Sequence, residues 1–150
     1  MSRVVTFGEI MARVAMPGFA RFRQAMPGAV NLTFAGAEAS IAASLACLGV
    51  DAAFVTALPD HAVADACIDE LRGLGVETRH ILRTAAGRMG VFYLEHGVNQ
   101  RGGSVIYDRE GASVAVTPAG AYDWQAVFAG CEWFVISGIT AAISRTGAEV

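Results

Sequence analysis

Along the chain, short continuous apolar runs alternate with longer stretches of helical periodicity. Arg3 to Phe7, Ala52 to Ala57 and Trp133 to Ile136 are unbroken apolar or β-branched runs, the pattern of strands buried on both faces of a parallel sheet. Ala39 to Leu48 is rich in Ala and Leu, places Ile41, Leu45 and Leu48 on one face, and stops at Gly49, which predicts a helix with those residues inward. Ala62 to Leu74 predicts a second helix, capped by Asp60 and closed by Gly75, with Val63, Ala66, Cys67, Ile68 and Leu71 inward. From Met11 to Phe34 the apolar stretches are broken by Pro17-Gly18 and Pro27-Gly28, which predicts short strands joined by turns. Met89 to Glu95 and Ser104 to Tyr107 flank a polar loop with Gly97, Asn99, Gly102 and Gly103 and predict a hairpin. A short helix is expected at Trp124 to Phe128, and Ser144 reads as the cap of another helix that has gathered no apolar face by Val150. The sum is one α/β unit over residues 1–150, a core with an inserted β layer whose strands lie around 11–34 and 89–109.

Composition sharpens this picture. The chain is 54% hydrophobic and 17% charged, which favours a buried sheet over disorder. The longest uncharged run, Gln24 to Ala37, contains Pro27, Gly28 and Gly36 and is too short to span a membrane, and the N-terminus lacks the apolar core of a signal peptide, so a cytoplasmic protein is expected. A net charge of -3 without a basic cluster argues against nucleic acid as a partner. Cys47, Cys67 and Cys131 show neither disulfide nor zinc spacing and read as small buried hydrophobes; His61, His80 and His96 read as isolated surface residues.

Candidate chemistry is concentrated in two places. In Phe34-Ala35-Gly36-Ala37-Glu38-Ala39-Ser40, small residues lead a strand into a helix, so a ligand can approach the backbone, although glycine before a helix also serves simply as a turn and Ser40 also fits a helix surface. In Tyr107-Asp108-Arg109 an aromatic face adjoins a guanidinium suited to a carboxylate, although the same spacing fits a solvated arginine paired with Asp108 or Glu110. No P-loop or dinucleotide fingerprint is present.

Taken in order, these segments resemble the 2-keto-3-deoxygluconate kinase branch of the ribokinase (PfkB) family over nearly the whole chain. Phe7-Gly8-Glu9-Ile10-Met11-Ala12-Arg13 is similar to that branch's G-E-x-M-x-R opening, Gly36 lies in a segment similar to its G-G-A-E-x-N-x-A signature, and Leu48-Gly49-Val50, Ala57-Leu58-Pro59-Asp60, Val105 to Arg109 and Ser137-Gly138-Ile139-Thr140 follow in register. The resemblance implies a ribokinase-like (Rossmann-like) core with a β-sheet lid that also forms a homodimer interface, and phosphoryl transfer from ATP, with magnesium, to a 2-keto-3-deoxy sugar acid. It implies that the Gly36 backbone meets the sugar acid, Tyr107 lines the pocket, Arg109 binds the acid end and Ile139 lies at the floor, with Ser40 and Phe92 beside them. It also places the catalytic aspartate and the ATP site beyond Val150, so the chain is expected to be a form truncated before the C-terminal half, carrying no catalytic or cofactor residue and binding sugar without phosphorylating it.

The pattern is broken at Ala35, where the signature has glycine, at Ser40, where it has asparagine, and at Phe92, where tyrosine is usual. Loss of a hydroxyl and an amide from the pocket leaves open a kinase for another ketose, such as fructose. A non-catalytic sugar-binding module that dimerises through the lid is a further alternative.

Overall fold

The computed structural model describes residues 3–150, and its chain order is β1 (Val4–Phe7), β2 (Met11–Ala15), α1 (Phe22–Ala25), β3 (Asn31–Ala35), α2 (Ala37–Cys47), β4 (Ala52–Pro59), α3 (Ala62–Gly73), β5 (Ile81–Thr84), β6 (Val91–Glu95), β7 (Ser104–Asp108), α4 (Ser113–Val116), a 3-10 turn (Ala119–Ala121), α5 (Trp124–Phe128), β8 (Trp133–Val135), α6 (Gly138–Ile143) and α7 (Arg145–Glu149). The apolar runs become β1, β4 and β8 of the parallel sheet β5-β4-β1-β8. Period-two alternation sends Ala52, Phe54 and Leu58 of β4 into a core shared with Cys67, Ile68 and Leu71 of α3, and Ala53, Val55 and Ala57 into a second core with Tyr122 and Val127. Both faces are covered, which is why β4 reads as a continuous apolar run and not as an alternating one.

Both long helices end on the same tripeptide, Leu-Gly-Val. Gly49 and Gly75 adopt φ +79 and +84, the left-handed region that glycine enters without a Cβ penalty. There the amides of Gly49 and Val50 donate to the carbonyls of Ala46 and Leu45, and those of Gly75 and Val76 to Arg72 and Leu71. Each chain reversal thus satisfies the last helical carbonyls and delivers the chain into the next strand region.

Strands β2, β3, β6 and β7 form a separate sheet of order β3-β2-β6-β7, in which β2 and β6 are parallel and the outer pairs antiparallel. It joins the core at Glu9, Gly36, Gly90 and Arg109, where the chain passes from one sheet to the other. The anticipated hairpin is β6–β7, with Phe92 opposite Tyr107.

Several local expectations are corrected. The inward face of α2 is formed by Glu38, Ala39 and Ala42, while Ile41 is exposed and Leu48 is 79% exposed at the C-cap. Small alanines let the helix lie close to β1 and β4, and that close packing displaced the bulkier stripe outward. In α3, Ala64 is buried and Val63 and Ala66 are exposed. The cap of α3 is His61, whose Nδ1 accepts from the Ala64 amide at 3.2 Å, whereas Asp60 faces Arg83 at 3.1 Å. Cys67 is buried but Cys47 is exposed. Strand β5, polar at Arg83 and Thr84, and helix α6, a six-residue helix in which Gly and β-branched residues outnumber its two alanines, have no local pattern that announces them. Among the described residues no helix is long and apolar enough to cross a membrane.

Candidate functional site

Residues spread from position 9 to position 140 meet in a cleft of about 310 Å3 at the junction of the two sheets. All six positions singled out from the sequence line it: Gly36, Ser40, Phe92, Tyr107, Arg109 and Ile139. The cleft lies just beyond the carboxyl ends of β1 and β8, the end of an open parallel sheet at which loops present ligand-binding groups. A larger hollow of about 450 Å3 sits at the opposite end of β4, beside Asp51 and Ala52. Its two cations are already matched, Arg72 with Asp69 and Arg79 with Glu77, and it lies on an open surface.

Each wall of the cleft comes from a different element. Gly36, the N-cap of α2, is packed against the Glu9 carbonyl so closely that a Cβ would stand 2.2 Å from that oxygen. The lid contributes Phe92 and Tyr107, cross-strand neighbours with ring centroids 5.9 Å apart. Arg109 follows β7, and its guanidinium carbon lies 5.6 Å from the centre of the Tyr107 ring, a cation–π arrangement that fixes the side chain over the cleft. Ile139 is exposed in the first turn of α6, and Ser40 is exposed one turn into α2.

The electrostatics depend on residues to which no role was assigned from the sequence. Arg109 does not pair with Asp108 or Glu110; Asp108 is held by Arg88, and Arg109 Nη2 donates to Glu9 Oε2, a hundred positions away. Glu9 is 6% exposed, and its other oxygen and Arg109 Nε are buried with no protein partner among the described residues. Burial pushes the Glu9 carboxyl above its usual range despite the attraction of Arg109. Glu38, also buried, accepts from the Ser137 amide at 2.9 Å and the Thr140 hydroxyl at 2.8 Å. Burial raises its pKa, but the hydrogen bonds from Ser137, its own backbone and Thr140 outweigh this and hold it below the ordinary value. Glu38 thereby clips the start of α2 to the β8–α6 turn and sets the cleft's width. Both glutamates stand inside motifs read from the sequence, directly after β1 and in the first turn of α2, and a carboxylate in an otherwise small or apolar segment was the available signal.

Chemically, the cleft offers an aromatic face for a carbon chain, a backbone rim at Gly36 and a guanidinium for an anion. Among the described residues no three His, Cys, Asp or Glu side chains converge as a metal site.

Comparison with known proteins gives a consistent result. A profile of the pfkB family carbohydrate kinases matches residues 1–146. A 2-dehydro-3-deoxygalactonokinase from Haloferax volcanii is 36% identical over 97% of this chain and 44% of its own length. Among solved structures, a 2-dehydro-3-deoxygluconokinase from Thermotoga maritima superimposes with a TM-score of 0.90 at 40% identity, over 96% of this chain and 43% of that one. A PfkB family carbohydrate kinase from Listeria grayi gives 0.91 at 30% identity, over 97% and 45%. The chain spans under half the length of each of these relatives, and with this match over nearly all of its residues the chain belongs to the pfkB family of carbohydrate kinases.

Proposed function

We propose that this chain forms the acceptor-sugar half of a kinase that transfers a phosphoryl group from ATP to a 2-keto-3-deoxy sugar acid. The observation that carries the reading is the cleft at the core–lid junction, where Arg109 is the sole cation among the described lining residues and is held over Tyr107. In it the acid end of the sugar meets Arg109, the carbon chain lies along Tyr107 and Phe92, and hydroxyl groups reach the Gly36 backbone, Ser40 and the Ile139 turn. The names of the relatives from Haloferax volcanii and Thermotoga maritima support this substrate class. ATP and magnesium belong to the same proposal, their sites assigned to the portion of the relatives that this chain does not span.

Calorimetric titration with 2-keto-3-deoxygluconate tests the reading. Saturable binding is expected, and Arg109→Ala should weaken it about tenfold to a hundredfold, the worth of a charge-assisted hydrogen bond. Binding by a folded Arg109→Ala variant with undiminished affinity would sink it. A kinase for a neutral ketose is the second reading, favoured by the missing hydroxyl at Phe92 and by the charge of Arg109 being already matched by Glu9; equal affinity for fructose and the sugar acid would establish it.

The lid is also proposed as a homodimer interface. Leu32, Val14, Tyr93 and Ile106 lie opposite one another across its strands on the face turned away from the cleft, and Ile106 is 63% exposed. Such an apolar row calls for a partner surface. Sedimentation should show a dimer that Ile106→Asp dissociates, whereas a wild-type monomer at micromolar concentration would contradict the assignment.

A further inference from the structure

The cleft wall carries two carboxylates, Glu9 and Glu38, and one guanidinium, Arg109. An acid ligand adds a third carboxylate to a site whose positive charge is already engaged. Glu38 is committed to Ser137 and Thr140 and keeps its hydrogen bonds whether or not the cleft is filled. Glu9 is different, because its only charged partner among the described residues is the arginine that the ligand needs.

Glu9 also has nowhere to go. Among the described residues its Oε1 is buried without a partner, and Gly90 closes over it so tightly that a Cβ there would lie 2.6 Å from that oxygen and 3.4 Å from the Arg109 Cβ. The ionisable groups that face Glu9 are Arg109, after β7, and Glu38, from α2; Gly90 from the β6 side and Ser137 and Thr140 from the β8–α6 side bring none. When a ligand carboxylate engages the Arg109 guanidinium, Glu9 is left buried beside a second carboxylate. A buried unpaired carboxylate is strongly disfavoured and becomes neutral by binding a proton.

We infer that Glu9 is the internal counter-ion of the cleft, which yields Arg109 to the carboxylate of an incoming sugar acid and takes up one proton from solvent as it does so. The inference rests on the sugar-acid reading above. The new O–H bond forms on the Glu9 carboxyl as an O–H or N–H bond of hydronium or of a protonated buffer molecule breaks, releasing water or the buffer base, and no other covalent bond changes. The raised pKa of Glu9 in the free chain runs in the same direction, since loss of Arg109 removes what now opposes burial. A neutral ketose leaves the Glu9–Arg109 pair intact, so Glu9 also separates acid from neutral ligands by the pH dependence of their binding.

Titration calorimetry of the chain with 2-keto-3-deoxygluconate at neutral pH, in phosphate and in Tris, counts the protons exchanged because the two buffers differ in ionisation heat. Wild type should take up about one proton per ligand and lose up to about tenfold in affinity per unit rise in pH, whereas Glu9→Gln should take up about none and bind independently of pH. Fructose, if it binds, should exchange none with either protein. Wild-type binding of the sugar acid without buffer-dependent heat overturns the inference, and this arm stands even if Glu9→Gln does not fold. Equal proton uptake by wild type and a folded Glu9→Gln also overturns it, while absence of any sugar-acid binding overturns the reading of function beneath it.

Discussion

Replacing Gly36 by alanine is expected to lower the stability of the chain by about 1–3 kcal/mol and to abolish sugar-acid binding, because the added methyl has no space to enter. Its position lies 2.2 Å from the Glu9 carbonyl oxygen and 3.0 Å from the Ile10 Cα. Both are backbone atoms of the passage from β1 to β2, and β1 is buried along its whole length, so they cannot swing aside as a flexible side chain would. Relief requires either the passage to move, which carries Glu9 away from Arg109, or α2 to move, which carries Glu38 away from Ser137 and Thr140, and either displacement opens the cleft. The backbone conformation of Gly36 is extended and open to any residue, so the effect is one of contact alone. Gly102→Ala, where nothing lies within 4 Å, is the control and should change stability by less than about 0.5 kcal/mol. Urea denaturation of the two variants measures the difference, and equal stability of Gly36→Ala and wild type would show that the close approach at the helix start is not required.

Removing the Glu38 side chain should cost about 2–4 kcal/mol, since Glu38→Ala leaves the Ser137 amide and the buried Thr140 hydroxyl without the acceptor they share. The pH dependence carries a sign that identifies the group. The pKa of Glu38 is lowered on folding, so its contribution is present above the ordinary carboxyl value of 4.5 and is lost as pH falls through the lower, folded-state value. Glu9 acts oppositely: its pKa is raised, so its contribution is fully present below 4.5 and declines as pH rises through the folded value. Comparison of wild type with Glu38→Gln removes most of the Glu9 contribution, in which the Glu38 charge is the smallest cause, and the stability advantage of wild type should shrink as the solution is acidified below pH 4.5. An advantage that persists unchanged to lower pH would mean that the hydrogen bonds to Ser137 and Thr140 do not favour the ionised form.

The parts of the fold legible in the sequence are those decided locally. β4 reads as an apolar run because both faces of the parallel sheet are covered there, whereas the apolar run of β8 stands at the sheet edge with Trp133 66% exposed; the two Leu-Gly-Val helix ends are visible because only the left-handed glycine completes them. What was not legible is decided by distant partners. Strand β5 is a strand because β4 offers it an edge, and α2 turns its alanines inward because β1 and β4 lie close beneath them. The same division holds at the site. Resemblance to a family brought Gly36, Tyr107 and Arg109 together, whereas spacing alone paired Arg109 with its neighbours. The ion pair that Arg109 makes with Glu9 joins the first passage between the sheets to the last, and no local pattern of charges distinguishes that pairing from a surface one.

The most direct test of the account is a crystal structure of the chain with 2-keto-3-deoxygluconate. The account predicts the sugar acid in the cleft between the two sheets, its carboxylate within hydrogen-bond distance of Arg109 and its carbon chain against Tyr107. A ligand seated elsewhere, or one in this cleft with its carboxylate turned away from Arg109, would contradict it.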